Sequence, residues 1–110
     1  MVRPTIIVAI LALAIALPAV ASQSHRPPHY AQWLCIHAGE GAWDANTGNS
    51  YYGGLQMDRE FQNSYGHRLY RSKGTANHWT PLEQMWVAER AWKTRGFYPW
   101  PKTARRCGLI

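Results

Sequence analysis

Acidic residues are scarce in this chain: 110 residues carry six Asp and Glu in total, and none precedes Glu40. Any acid-base chemistry must therefore draw on Glu40, Asp44, Asp58, Glu60, Glu83 or Glu89. Cysteine is scarcer still, limited to Cys35 and Cys107, with no C-x-x-C or H-E-x-x-H spacing. That absence excludes a recognisable zinc site. His25, His29, His37, His67 and His78 show no convincing ligand spacing either, so neither a metal nor a cofactor is expected. Long apolar runs are also missing. The longest, Ile6 to Leu17, has 12 residues, short of the roughly 20 a membrane-spanning helix needs.

That run instead fits a secretion signal. Arg3 precedes it, and Ala19-Val20-Ala21 supplies the small-x-small pattern that signal peptidase reads. The expected organisation is a signal peptide over residues 1–21, a flexible Pro-ended leader over 22–28, and one small domain over 29–110. The protein is thus expected to be secreted, extracellular or wall-associated, with no stable membrane insertion after cleavage.

The charge balance is basic, +6 for the whole chain, and loss of Arg3 with the signal lowers it to +5. An anionic partner follows from the sign. Nucleic acid, an anionic cell surface and an acidic glycan all satisfy it, and export favours the surface or wall over nucleic acid. Export also exposes both cysteines to an oxidising compartment, where a Cys35–Cys107 disulfide is expected. Closing a loop of 72 residues is worth about 4 kcal/mol by loop entropy, comparable with the net stability of a small domain.

The local patterns are mainly helical. Pro27 and Pro28 lead into a short helix from Tyr30 to Ala38, with Gly39 at its exit. Turn formers from Asp44 to Ser50, followed by Tyr51-Tyr52-Gly53-Gly54, read as a turn or short β-hairpin. Asp58 is placed to cap a helix through Phe61 to Tyr65, closed by Gly66, and the stretch from there to Trp79 is poorly patterned. Thr80-Pro81-Leu82-Glu83 is a capping box opening a helix to Arg95, with Gly96 as terminator. Phe97-Tyr98-Pro99-Trp100-Pro101 reads as an extended tail returning Cys107 to Cys35.

These assignments employ most of the carboxylates. Asp58 caps, Glu60 sits in a first helical turn, Glu83 completes the capping box and Asp44 opens a turn. Glu89 falls inside the apolar stripe of its helix, so it needs a buried partner and is read as structural before catalytic. Glu40 has no such employment. A helix C-terminus and the aromatic surface of Trp43 would raise its pKa, as a general acid requires, although an inert loop glutamate fits the same features.

Three segments then carry a resemblance. Glu40-Gly41-Ala42-Trp43, Asn46-Thr47-Gly48-Asn49-Ser50-Tyr51-Tyr52-Gly53-Gly54-Leu55-Gln56 and Glu83-Gln84-Met85-Trp86-Val87-Ala88-Glu89 resemble the catalytic domain of resuscitation-promoting factors. The Gly-Leu-Gln end and the Glu-x-x-aromatic spacing are similar to soluble lytic transglycosylases. The resemblance implies a small α+β, mainly helical, lysozyme-like fold with a short β-hairpin and one disulfide. It also implies a secreted enzyme that cuts the β-1,4 bond between N-acetylmuramic acid and N-acetylglucosamine in peptidoglycan. Glu40 would be its general acid, Trp43, Asn49, Tyr51, Tyr52, Gln56 and Gln84 its substrate contacts, and Cys35 and Cys107 its disulfide. In typical members the glutamate directly follows the first cysteine, whereas four residues separate Cys35 from Glu40 here.

With no second carboxylate assigned to the reaction, attack by the muramic 6-hydroxyl and a 1,6-anhydro product are expected over a reducing end. The alternative is a catalytically silent cationic wall-binding or signalling module. The sequence names no protein partner.

Overall fold

The computed structural model describes residues 25–110. The expected signal peptide, 1–21, and the first leader residues lie outside them. Of the leader, His25 to Pro28 rest on the body: Pro27 is buried, and the Trp86 indole donates to the His25 carbonyl at 2.7 Å.

Five α-helices and one 3-10 turn make up the described architecture: α1 (Tyr30–Glu40), α2 (Arg59–Tyr65), α3 (His67–Lys73), the 3-10 turn Ala76–His78, α4 (Pro81–Arg95) and α5 (Pro101–Arg106). α4 is the central strut. Thr80 accepts from the Glu83 backbone N–H while the Glu83 carboxylate accepts from the Thr80 N–H, the reciprocal pair of a capping box. Its buried face carries Met85, Val87, Ala88 and Ala91. They meet Trp33 and Ile36 of α1, Leu55 and Met57 of the connecting loop, and Phe61, Trp79, Phe97 and Trp100. Large aromatics thus fill much of a small core.

Asp58 caps α2 as expected, accepting from the Phe61 N–H at 2.8 Å. Three expectations are corrected. α1 continues through Gly39 to Glu40. Among the described residues no strand forms; the expected hairpin is reduced to two isolated antiparallel bridges, Asn46 with Tyr52 and Tyr52 with Met57, because tight turns interrupt the segment before a ladder can extend. The segment after Trp100 is also not an extended tail. Pro101, whose missing N–H is no loss at a first helical position, opens α5. The Cys35–Cys107 disulfide then joins α1 to the residue just beyond α5.

Candidate active site

Glu40 ends α1 half-buried, and α5 is laid against it. The Thr103 hydroxyl donates to Glu40 Oε2 at 2.8 Å. Arg106, one turn further along α5, covers Gly39, where any Cβ would collide with its guanidinium and with the Thr103 methyl. Burial pushes the Glu40 carboxyl above its ordinary value; the Thr103 hydrogen bond and the Arg106 charge offset part of that rise. The result is an acid that holds its proton longer than a solvated glutamate while Oε2 is tied to Thr103. Oε1 is then the oxygen left to carry a transferable proton.

The loop after α1 brings several other candidates to the same side. The Gln56 side-chain amide packs against Gly41, next to Glu40, and donates to the Gly53 carbonyl at 3.0 Å. Asn49 donates to Gln56 Oε1 at 3.2 Å and accepts from the Tyr51 N–H at 3.0 Å. Tyr51 stands open to solvent, 47 % exposed. From Tyr51 and Gln56 a cavity of about 320 Å³ leads away, lined further by Asp58, Arg95 and Trp100, and Glu40 lies outside its lining.

Other candidates are built into the wall. Trp43 stacks on His37 with ring centroids 3.8 Å apart, and His37 Nδ1 is 3.0 Å from the Gly54 carbonyl. Gly54 needs its bare Cα because a Cβ would strike both the Trp43 ring and His37. Tyr52 is half-buried at the bridge, its backbone exchanging hydrogen bonds with Met57 at 3.0 Å, with the Arg59 guanidinium 5.2 Å from its ring centroid.

Gln84 departs from the expectation of substrate contact. Its side chain is fully buried: Oε1 accepts from the Gly54 N–H at 2.8 Å, and Nε2 donates to the carbonyls of Trp43 at 2.9 Å and Trp79 at 3.0 Å. Every bond goes to backbone, so Gln84 is a clamp holding the Gly53-Gly54 turn against α4.

Glu89 lies at the opposite end of α1, completely committed. Oε1 accepts from the His29 N–H at 3.1 Å and the Trp33 indole at 3.0 Å, and Oε2 pairs with His29 Nδ1 at 2.6 Å. Burial alone would raise its pKa, but the bonds from Trp33 and His29 outweigh burial and hold it below the ordinary range. Asp44 is exposed in the loop. Thr103 and Arg106 were absent from the sequence reading. Proline at N1 and basic residues in a last turn, Arg105 and Arg106, were the signals that could have revealed their helix.

A short helical domain, closed by one disulfide and bearing a half-buried carboxyl at the end of its first helix, is the class these features define. Residues 29–103 match the family described as the transglycosylase-like domain, and the chain belongs to that family. It is 40% identical over 62 residues to resuscitation-promoting factor RpfD of Mycobacterium tuberculosis, covering 56% of this chain and 37% of RpfD. Identity to RpfE of the same species is 36% over 66 residues, 60% of this chain and 36% of RpfE. For Rpf1 of Corynebacterium glutamicum it is 36% over 69 residues, 63% of this chain and 35% of Rpf1. The chain spans little more than a third of the length of these relatives, 35% to 37%.

Proposed function

We propose that this domain is a secreted, lysozyme-like peptidoglycan glycosidase with Glu40 as its general acid, acting on the bond between N-acetylmuramic acid and N-acetylglucosamine. Membership of the transglycosylase-like family supports the reaction class. The observation that carries the residue assignment is the setting of Glu40: partial burial raises its carboxyl pKa, and the Thr103 hydroxyl fixes its orientation while offsetting part of that rise. Glu40 gives its proton to the leaving glycosidic oxygen as the C1–O bond breaks. The muramic 6-hydroxyl oxygen then bonds to C1 and returns its proton to the Glu40 carboxylate, leaving a 1,6-anhydro end and a restored acid. Thr103 donates to the carboxylate while it is charged.

Asn49, Tyr51 and Gln56 offer amide and phenol groups to the saccharide, with Trp43 and Tyr52 shaping the groove beside them. The intramolecular route is favoured because three of the five other carboxylates have separate employment: Asp58 caps α2, Glu83 bonds Thr80 and Lys73, and Glu89 bonds His29 and Trp33, while Asp44 and Glu60 are exposed. The test is release of dye from labelled walls by the purified domain, followed by mass spectrometry of the soluble muropeptides. Anhydro ends are expected. Reducing ends, heavier by one water, would overturn the intramolecular route, and no release above background would overturn the enzyme reading in favour of a silent wall-binding module.

A further inference from the structure

A second, larger depression of about 1110 Å³ opens between the α2–α3 pair and α4. Glu89 of α4 lines it, and neither Glu40 nor any other residue of α1 does. Glu89 bonds His29 and Trp33 at the start of α1, and the 11 residues of that helix carry Glu40 about 15 Å further on at ~1.5 Å per residue.

Its walls are cationic on both sides. Arg68 and Lys73 come from α3, and Arg90 and Lys93, one turn apart, from α4. Two carboxylates reach it, and both are occupied: Glu83 is bonded to Lys73 at 3.0 Å, and Glu89 is 3 % exposed with its oxygens held by His29 and Trp33. Arg90 reaches the Tyr65 carbonyl at 2.9 Å, an acceptor that leaves its charge uncompensated. Among the described residues, Arg68, Arg90 and Lys93 therefore present three cations without a carboxylate partner to one trough. The hydroxyls of Ser64 and Ser72 lie in the same lining and can donate to anionic oxygens.

The tryptophan and tyrosine there are not open platforms for stacking bases. Trp86 is half-buried with its indole N–H bonded to the His25 carbonyl, and Tyr65 is half-buried against Phe61, ring centroids 4.8 Å apart. Single-stranded nucleic acid binding ordinarily uses open aromatic platforms beside the cations. The exposed rings of the lining are the two imidazoles of His25 and His67, so charge and hydroxyls dominate the trough.

We infer that this trough is a docking site for a flexible, base-free phosphodiester polymer of a cell surface, holding the domain on its surroundings independently of Glu40. Arg and Lys both suit phosphate, and a linear polymer can engage α3 and α4 at once.

The experiment titrates the domain with poly(glycerol phosphate) of defined length at several salt concentrations. Three phosphate contacts on a flexible chain give a log-affinity slope against log-salt of about −2, hence a loss of about ten- to twentyfold between ~50 and ~200 mM salt. Arg68→Glu with Lys93→Glu, neither of which has a described side-chain bond to lose, should weaken binding more than tenfold with an unchanged melting temperature. Lys102→Glu with Arg105→Glu makes the same change in net charge on α5 and should alter affinity less than twofold. Equal losses in the two double variants would overturn the site, leaving only general charge attraction. Tighter binding of an oligothymidylate of equal charge would overturn the polymer assignment in favour of nucleic acid. Because the readout is binding, the result is separable from whether Glu40 cleaves walls.

Discussion

The two ends of α1 carry the same functional group in opposite states. At the start, Glu89 reaches across from α4 and accepts two N–H groups and a histidine, beside the positive pole of the helix dipole. At the finish, Glu40 is half-buried at the negative pole with one hydroxyl donor. Donors win at the first end and the pKa falls; burial wins at the second and the pKa rises. What separates a structural carboxylate from a candidate acid is therefore the number of donors aimed at it: Glu89 is almost closed to solvent, yet its bonds from Trp33 and His29 hold it below the ordinary range.

The largest effect should come from the staple joining the α1 and α5 segments that frame Glu40. Reducing Cys35–Cys107 removes about 4 kcal/mol of loop entropy, and a calorimetric scan with and without reductant should show a drop of more than about 15 °C for a domain this size. Absence of any drop would show that the Glu40 end is held without it.

Glu89→Ala should cost about 3 kcal/mol, because it strands the buried Trp33 N–H and the His29 N–H. Urea unfolding measures it. The pH dependence carries the sign. A depressed folded pKa gives stability that is present above the unfolded glutamate value and lost as pH falls through the lower, folded value. The Glu89 contribution should therefore disappear on the acid side of the ordinary glutamate range. Glu40 has the reverse sign: its raised pKa favours folding below the ordinary glutamate value, and that benefit is lost as pH rises through the folded value. Glu40→Gln should consequently leave melting at neutral pH unchanged or slightly raised, while wall cleavage falls by about 10²-fold or more. Retention of more than about a tenth of the activity would remove Glu40 from the mechanism.

Thr103→Val sharpens the comparison with the smallest change. Loss of its donated bond stabilises the protonated form of Glu40, moving the alkaline limb of the pH-rate profile upward, with a rate effect of about tenfold or less at the scale of one hydrogen bond. An unmoved limb would show that Thr103 has no hold on the acid.

The sequence was most legible where a signal is local. The Thr80 to Glu83 capping box, the Asp58 cap and the cysteine pair each depend on a few residues and emerged as expected. Glu40 was reached by elimination, which works only because acids are so few. α3 escaped because His67 to Lys73 has no buried residue, so no apolar period marks it. α5 escaped because Pro99 and Pro101 read as breakers, yet it delivers Thr103 and Arg106 to Glu40 across more than 60 residues, a separation of 63 for the Thr103 bond. Gln84 was assigned to substrate because sequence cannot distinguish an amide bonded to buried backbone from one facing a groove.

The most direct measurement is a carbon-detected NMR titration of the glutamate side-chain carboxyls, with Glu40→Gln and Glu89→Gln used to assign the two resonances. The account requires the Glu40 midpoint above the ordinary glutamate value and the Glu89 midpoint below it. A Glu40 midpoint at or below the ordinary value, or the reverse order of the two, would contradict the identification of Glu40 as the proton donor.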